Sequence, residues 1–218
     1  MVIARIHNDF PTKFGLPRQA GLSPSLLSKI VFEPEFRVPE ALRGLDGFSH
    51  IWLIWGFSAS EGWSPTVRPP RLGGNVRMGV FATRSPYRPN PIGLSSVRLE
   101  SIEKDGDNGM VLVVSGADLM DGTPIYDIKP YLPGVDSHPD ATDGFVGSNH
   151  QVLLDVEIAP ELASRLSSGQ LATLREILAQ DPRPAYHAAH PEPDRIYGLS
   201  YAGGDIHFSV SGTLLKAW

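Results

Sequence analysis

Residues 50–57 read His50-Ile51-Trp52-Leu53-Ile54-Trp55-Gly56-Phe57, and this run decides the fold. It is short, almost continuously apolar, and rich in aromatic and branched side chains. Runs of this length and composition are typical of a β-strand that is buried on both faces. The sequence therefore predicts such a strand at residues 50–57.

Further short strands flank this run on both sides. Apolar or alternating patterns predict strands at residues 3–6, 27–32, 76–80, 92–102, 110–114 and 124–131. Residues 39–45 predict one or two helical turns. About seven short strands with almost no helix, in a chain with 22 Gly and 20 Pro, indicate a mainly β protein with a compact β-barrel.

The composition changes after the last of these strands. Residues 133–149 carry three aspartates and few apolar side chains, which is typical of a linker. An alternating strand at 152–158, an amphipathic helix around 171–178 and a hairpin of 195–201 with 205–211 follow. The sequence therefore predicts two domains, a β-barrel at residues 1–143 and a small α+β domain at residues 144–218.

The bulk composition narrows the class of protein. The chain has 218 residues, of which 41% are hydrophobic and 20% charged, as in globular proteins. It has no cysteine, which excludes disulfides, thiolate zinc sites and cysteine nucleophiles. Met1 to Phe10 lacks an apolar run of signal-peptide length, and Ile51–Phe57 is far short of the ~20 residues of a membrane span. We therefore expect a cytoplasmic protein without membrane contact.

An arginine-rich segment spans residues 68–98. It holds six of the 14 arginines, although the chain has a net charge of -5, and no acidic residue lies between Gly62 and Leu99. Pro86, Pro89 and Pro91 stiffen the segment because each ring fixes its own φ. A solvated connector is the plain alternative. A rigid cationic loop favours an anionic partner, of which phosphate is the commonest.

Common catalytic motifs are absent from this sequence. It has no Gly-x-Gly-x-x-Gly, no nucleotide phosphate loop and no His-Glu-x-x-His, and its seven histidines are scattered, so we expect no metal site. The segment Asp121-Gly122-Thr123-Pro124 has the composition of a turn, and a plain turn is one interpretation. Because it lies between two apolar strands and offers amides with a carboxylate, it could also hold the amino and hydroxyl groups of a small ligand.

Several long segments carry a resemblance to one known family. They are Leu16-Pro17-Arg18-Gln19, Arg43-Gly44-Leu45-Asp46, Val67-Arg68-Pro69-Pro70-Arg71-Leu72-Gly73-Gly74, Gly79-Val80-Phe81-Ala82-Thr83-Arg84-Ser85, Arg88-Pro89-Asn90-Pro91-Ile92-Gly93, Asp121-Gly122-Thr123-Pro124, Asp127-Ile128-Lys129-Pro130-Tyr131 and Gln180-Asp181-Pro182-Arg183-Pro184-Ala185-Tyr186. The chain resembles the tRNA N6-threonylcarbamoyladenosine methyltransferases, the TrmO family, also called TsaA-like or YaeB-like. It departs from them at Ile6-His7-Asn8-Asp9, where many members have Arg-Ser-Pro, and at Ser58, where members often have histidine.

The resemblance implies an S-adenosylmethionine-dependent methyltransferase that lacks a Rossmann fold. It implies a β-barrel first domain, a homodimer with the cofactor near the subunit interface, and tRNA as partner. The substrate would be adenosine 37 of the anticodon loop, already carrying threonylcarbamoyl on N6. A non-catalytic RNA-binding module and an adenosylmethionine-binding sensor are the alternatives.

The resemblance also assigns residues to roles. Those placed in the cofactor pocket are Pro17, Arg18, Gln19, Phe57, Ser58, Arg84, Leu94, Asp121, Gly122, Thr123 and Pro124. Those placed on tRNA phosphates are Arg68, Arg71, Arg77 and Arg88, since arginine forks pair well with phosphate. Trp63 and Tyr87 are candidates for stacking on exposed bases. Asp127 and Tyr126 are the candidates for removing the N6 proton.

Overall fold

A closed barrel of six strands forms the first part of the molecule. The computed structural model describes residues 1–69, 72, 76–147, 153–190, 192 and 195–218. The first eight strands are Ala4–His7 (β1), Leu27–Phe32 (β2), His50–Gly56 (β3), Thr66–Val67 (β4), Met78–Gly79 (β5), Ile92–Lys104 (β6), Met110–Ser115 (β7) and Pro124–Pro130 (β8). The barrel order is β1-β2-β7-β6-β3-β8, every pair is antiparallel, and β8 returns to β1. The predicted β-barrel is confirmed.

Strand β3 alternates between the barrel interior and its outer surface. Ile51 and Leu53 are fully buried, and Trp55 is 7% exposed, whereas Trp52 and Ile54 are only half-buried. The prediction of a strand buried on both faces was wrong. A closed barrel points alternate side chains inward, so the outward ones are covered only where another segment lies over them.

Trp52 shows how part of that outer face is covered. Its ring lies 5.5 Å from the ring of Tyr131, and its Nε1 donates a 2.9 Å hydrogen bond to the Asp136 carboxylate. Asp136 ends a short helix, Pro133–Asp136 (α1), inside the stretch predicted as a linker. Hydrogen bonds from the Leu132 backbone N–H and from Trp52 lower the pKa of Asp136.

The segment around residue 78 differs from the alternating strand predicted at residues 76–80. Only Met78–Gly79 is extended, in a two-stranded ribbon with Thr66–Val67. Val80 then begins a 3₁₀ turn and is buried at 1% exposure, while its backbone N–H bonds to the Pro65 carbonyl oxygen. Burying Val80 bends the chain inward and ends the strand. Residues 70, 71 and 73–75 lie outside the described part.

The second half of the chain folds as a small α+β unit. Its elements are Asp155–Ile158 (β9), Pro160–Ala163 (α2), Ser168–Ala179 (α3), Ala185–Ala189 (α4), Tyr197–Tyr201 (β10), Gly204–Ser211 (β11) and Leu214–Ala217 (β12). The sheet order is β10-β11-β12-β9, with β9 parallel to β12. The predicted helix and hairpin are confirmed, whereas β12 was not predicted. Helix α3 begins with a capping box between Ser167 and Gln170.

The loop between β1 and β2 packs into the core of this second unit. Phe10 and Leu26, at its two ends, are buried together with Leu174 and Phe208. The domain boundary predicted at residues 143 and 144 stays a prediction, because this loop contributes to both parts of the molecule. No helix in the described part of the chain combines the length and the apolar character that a membrane span needs.

Candidate active site

A cavity of 680 Å³ lies where the β1–β2 loop meets strands β3 and β6. The loop contributes residues 13 and 16–20, and β6 contributes residues 92–96. Strand β3 and the residue after it contribute three aromatic side chains. The remaining walls come from residues 83, 84 and 88 and from residue 118, which follows β7. One cavity thus gathers segments that are more than 100 residues apart along the chain.

Aromatic rings form one wall of the cavity. Trp55 and Phe57 meet edge to face, with ring centroids 4.4 Å apart. Gly93 on the neighbouring strand lies directly beneath Trp55, and a Cβ atom added there would be only 2.2 Å from the Trp55 Cε2 atom. Only glycine therefore lets the indole ring lie flat against β6. The wall offers a flat apolar surface of the kind that binds a heterocyclic base.

A chain of hydrogen bonds leads from this wall to a carboxylate. Trp55 Nε1 donates to Ser95 Oγ at 3.0 Å, and Ser95 Oγ donates to Asp118 Oδ1 at 2.5 Å. Ser95 is 2% exposed, so its hydroxyl is fixed in this orientation. Burial raises the pKa of Asp118, while the Ser95 hydroxyl, nearby backbone amides and Arg84 act in the opposite direction. The result is an oriented carboxyl group that holds a proton more readily than an exposed aspartate does.

Arginines and a lysine form the opposite side of the cavity. Arg84 donates a short hydrogen bond to the Gln19 Oε1 atom. Arg18 Nη2 donates to the backbone oxygens of Asp181 at 3.0 Å and Arg183 at 3.5 Å, both in the second unit. Lys13, which also lines the cavity, donates to Ser60 Oγ at 3.0 Å. This side of the cavity can therefore bind a carboxylate or phosphate.

The structure brings most of the predicted cofactor residues together. Pro17, Arg18, Gln19, Phe57, Arg84 and Leu94 all line the cavity. Ser58 is exposed and is not among the lining residues. Sequence reasoning gave no role to Asp118, which does line it.

The turn Asp121–Pro124 lies outside the cavity lining. Asp121 Oδ1 accepts hydrogen bonds from the Asn8 backbone N–H at 3.1 Å and pairs with His7 Nδ1 at 3.2 Å. Arg5 Nη1 donates to the Gly122 carbonyl oxygen at 3.0 Å, and Thr123 is buried. These contacts tie the turn to β1 and the residue after it. Its role in cofactor binding stays a prediction.

The two residues predicted to remove a proton also lie outside the cavity lining. Tyr126 is 37% exposed, and its hydroxyl covers Gly56, where an added Cβ atom would be 2.2 Å from the phenolic oxygen. Asp127 Oδ2 forms a 2.8 Å ion pair with Lys129 Nζ. Their catalytic roles stay predictions.

The arginines predicted to contact tRNA divide into two groups. Arg68 and Arg77 are exposed, and Arg77 Nη1 donates to Thr66 Oγ1 at 2.9 Å. Arg88 instead lines the cavity and folds back on its own loop, donating to the Thr83 carbonyl oxygen at 2.7 Å. Arg71 lies outside the described residues. Three exposed aromatic residues lie in or just before this segment, Trp63 at 59%, Phe81 at 75% and Tyr87 at 44% exposure. Of these, Trp63 and Tyr87 are the ones predicted to stack on bases.

Metal binding finds no support within the described residues. No group of three or more histidine and carboxylate side chains among them could hold a metal ion.

Comparison with known proteins places the chain in a family. Residues 5–137 match the tRNA-methyltransferase O N-terminal domain, and residues 151–216 match the TrmO C-terminal domain. The tRNA (adenine(37)-N6)-methyltransferase of Escherichia coli K12 is 45% identical over 217 residues, covering 96% of this chain and 92% of that protein. A Pseudomonas aeruginosa protein named among the S-adenosylmethionine-dependent methyltransferases is 42% identical over 215 residues, covering 94% and 90%.

A solved structure agrees with these sequence relatives. The crystal structure of TrmO from Pseudomonas aeruginosa superimposes with a TM-score of 0.78 at 35% identity, covering 100% of this chain and 95% of that one. The molecule is a closed barrel with a cavity lined by aromatic, cationic and acidic side chains. This fold and site define a barrel protein that binds a small molecule, a class distinct from proteins that bind dinucleotides on a parallel sheet. The chain belongs to the TrmO family.

Proposed function

We propose that the protein is an S-adenosylmethionine-dependent tRNA methyltransferase that acts on N6 of adenosine 37. The observation that carries this proposal is family membership over both halves of the chain, residues 5–137 and 151–216. The predicted enzyme class and cofactor agree with the names of the relatives.

The cavity suits the chemistry of the cofactor. S-adenosylmethionine presents an adenine ring, a ribose, an α-amino group and a carboxylate, and its sulfonium supplies the methyl group. The aromatic wall of Trp55 and Phe57 can hold the adenine, and Arg84 and Arg18 can bind the carboxylate. A volume of 680 Å³ lies within the range of ligand pockets in proteins.

The protein contributes to the reaction by aligning the reacting atoms, by excluding water from them and by moving a proton. Methyl transfer to nitrogen needs the acceptor, the methyl carbon and the leaving sulfur in line. The rigid wall made by Trp55 against Gly93 fixes one side of that alignment. Threonylcarbamoyl conjugation makes N6 a poor nucleophile, so its proton must leave during or before attack. A carboxylate positioned at the cavity can take it.

The finer features of the proposal concern the substrate and the assembly. We infer that the adenosine carries threonylcarbamoyl on N6, and that the enzyme acts in the cytoplasm, on the anticodon loop, as a homodimer. The exposed arginines Arg68 and Arg77, with Trp63 and Tyr87, offer phosphate contacts and stacking surfaces for such a loop. The Asp121–Pro124 turn and Ser58 belong to the proposed cofactor site on the family resemblance alone.

One experiment tests the proposal against its alternatives. Purified protein is incubated with methyl-labelled S-adenosylmethionine and with tRNA that carries or lacks threonylcarbamoyl on adenosine 37. We expect label in the carrying tRNA only, recovered as N6-methylated nucleoside after digestion. Calorimetric binding of the cofactor without transfer would indicate a sensor, and tRNA binding without cofactor binding would indicate an RNA-binding module.

A further inference from the structure

We infer that Asp118 is the residue that accepts the N6 proton of the substrate during methyl transfer. The inference rests on the proposed function, since it names the proton acceptor for that reaction. Among the described residues that line the cavity, Asp118 is the one carboxylate. It lies on the connection after β7, beside strand β6 and the aromatic wall.

Hydrogen bonds to neighbouring residues fix the position of the Asp118 carboxylate. Ser95 Oγ donates to Asp118 Oδ1 at 2.5 Å, and Ser95 itself accepts from Trp55 Nε1 at 3.0 Å. The Ala20 backbone N–H also bonds to Asp118, so the β1–β2 loop contributes to holding it. The hydrogen-bond chain therefore links the acceptor to the same indole ring that forms the aromatic wall. A substrate that enters the cavity beside the bound cofactor would meet a carboxylate of defined orientation.

The charges facing Asp118 suit a group that gains a proton. The titratable and charged lining residues in the described part are Asp118, Lys13, Arg18, Arg84 and Arg88. Arg84 is the one cation whose charge acts on the Asp118 pKa, and its effect is smaller than that of burial. The pKa therefore stays raised, which makes the carboxylate a stronger base than an exposed aspartate. A rate–pH profile measures this pKa directly.

The proposed step balances in atoms and charge. The N6 lone pair forms the new bond to the methyl carbon as the bond from that carbon to sulfur breaks. The electron pair of the broken bond stays on sulfur, which becomes a neutral thioether. The N6 proton moves to the Asp118 carboxylate, so that one positive and one negative charge are neutralised together. Asp118 later releases the proton to water that enters the open cavity.

Asp118 fits this role better than the two residues suggested by the sequence. Asp127 is held by Lys129 at 2.8 Å, and Tyr126 covers Gly56, and neither lines the cavity.

The principal test is Asp118→Asn, which keeps the shape and the acceptor oxygen for Ser95. We expect single-turnover methyl transfer to fall at least about 100-fold, because general-base catalysis contributes roughly that much or more. The cofactor Kd, measured by calorimetry, should change less than about threefold, because the acceptor works on the substrate. Asp140→Asn, an exposed site, is the matched control and should leave both quantities unchanged.

Ser95→Ala gives a second test of the role of Asp118. Its expected result is a shifted rate–pH profile, which a merely structural role of Asp118 would not produce. The Ser95 hydroxyl lowers the Asp118 pKa, so its removal should shift the acid limb of the rate–pH profile to higher pH, by up to about one unit. Activity should return to near the wild-type rate above that limb. In Asp118→Asn the acid limb should disappear.

A stability measurement reports on the same carboxyl without any catalysis. The native pKa of Asp118 lies above its ordinary value of 3.8, so the wild-type protein loses stability as pH rises through the native pKa. Asp118→Asn lacks this loss. The difference in the free energy of unfolding, variant minus wild type, should therefore increase as the pH rises from the ordinary pKa of aspartate to the native pKa of Asp118.

The outcomes separate this inference from the proposed function. Wild-type protein that transfers no methyl group to threonylcarbamoylated tRNA would refute the function itself. An active wild type with an equally active, folded Asp118→Asn variant would overturn the inference alone. So would a large rise in cofactor Kd with an unchanged acid limb, since Asp118 would then be a cofactor ligand. Loss of the acid limb in Asp127→Asn instead would move the role to that residue.

Discussion

The carboxylate of Glu176 connects the second unit to the loop that lines the cavity. It accepts hydrogen bonds from Ser23 Oγ at 2.7 Å, from the Ser25 backbone N–H at 3.1 Å and from Ser25 Oγ at 2.7 Å. Ser23 is fully buried. Glu176→Ala removes all three hydrogen bonds and leaves the buried Ser23 hydroxyl without this partner. We predict a clear loss of stability together with weaker cofactor binding.

The size of the effect follows from these contacts. A hydrogen bond to a charged group contributes about 1.5–3 kcal/mol, and bonds that share one carboxylate are not additive. We therefore expect a loss of about 3 kcal/mol in the free energy of unfolding. For a chain of this length each kcal/mol shifts Tm by about 2–4 °C, so Tm should fall by about 6–12 °C. Cofactor affinity should fall as well, because residues 13 and 16–20 of the released loop line the cavity.

Calorimetry of unfolding and of cofactor binding checks both parts. Glu157→Ala serves as the matched control, because Glu157 is 62% exposed and its 3.3 Å pair with Lys216 lies at the surface. Such a pair contributes less than about 1 kcal/mol. Equal melting temperatures for the two variants would refute the reasoning. A lower Tm with an unchanged cofactor Kd would refute only the link between the second unit and the cavity.

Four further variants test the cavity and the cationic segment. Arg84→Ala should weaken S-adenosylmethionine binding in calorimetry with Tm within about 2 °C of wild type, and an unchanged Kd would remove Arg84 from the site. Gly93→Ala places a Cβ atom 2.2 Å from the Trp55 ring, so we expect a loss of about 1–3 kcal/mol in denaturant unfolding, with weaker cofactor binding; wild-type stability would show that the indole can move aside. Arg68→Ala and Arg77→Ala should each make the slope of log tRNA affinity against log salt shallower by roughly one or less, with cofactor binding unchanged. A salt slope equal to that of wild type in both would exclude phosphate contacts there.

The sequence predicted strands well where the residues of one strand show an apolar or alternating pattern by themselves. The strand predicted at residues 27–32 has those bounds in the structure, and the hairpin of β10 and β11 was predicted from alternation around a glycine pair. Strand β12 was missed because Leu214–Ala217 is four residues long and pairs in parallel with the distant β9. The outward face of β3 was misjudged because the run of apolar residues does not show how much of that face another segment covers.

The cavity was predictable only in part. Motif resemblance assigned Pro17, Arg84 and Leu94 to one pocket, and all three line one cavity although they are far apart along the chain. Their binding of the cofactor stays a prediction. Asp118 was not assigned, because it stands in a turn-like run and the groups that act on its pKa, among them Ser95 and Ala20, come from other parts of the chain. Arg88 was assigned to tRNA phosphate with the cofactor as the alternative, and its guanidinium bonds to carbonyl oxygens of its own loop at the cavity.

The packing of the β1–β2 loop has a consequence for the order in which the protein matures. The barrel has all six of its strands once residue 130 has been synthesised. Phe10 and Leu26 nevertheless have to wait for Phe208 and Leu215, near the end of the chain, before their shared core is complete. Synthesis proceeds from the N-terminus, so the loop stays without its packing partners until translation is almost finished. We therefore expect the barrel strands to form before this loop packs, so that the cavity lined by the loop is completed late.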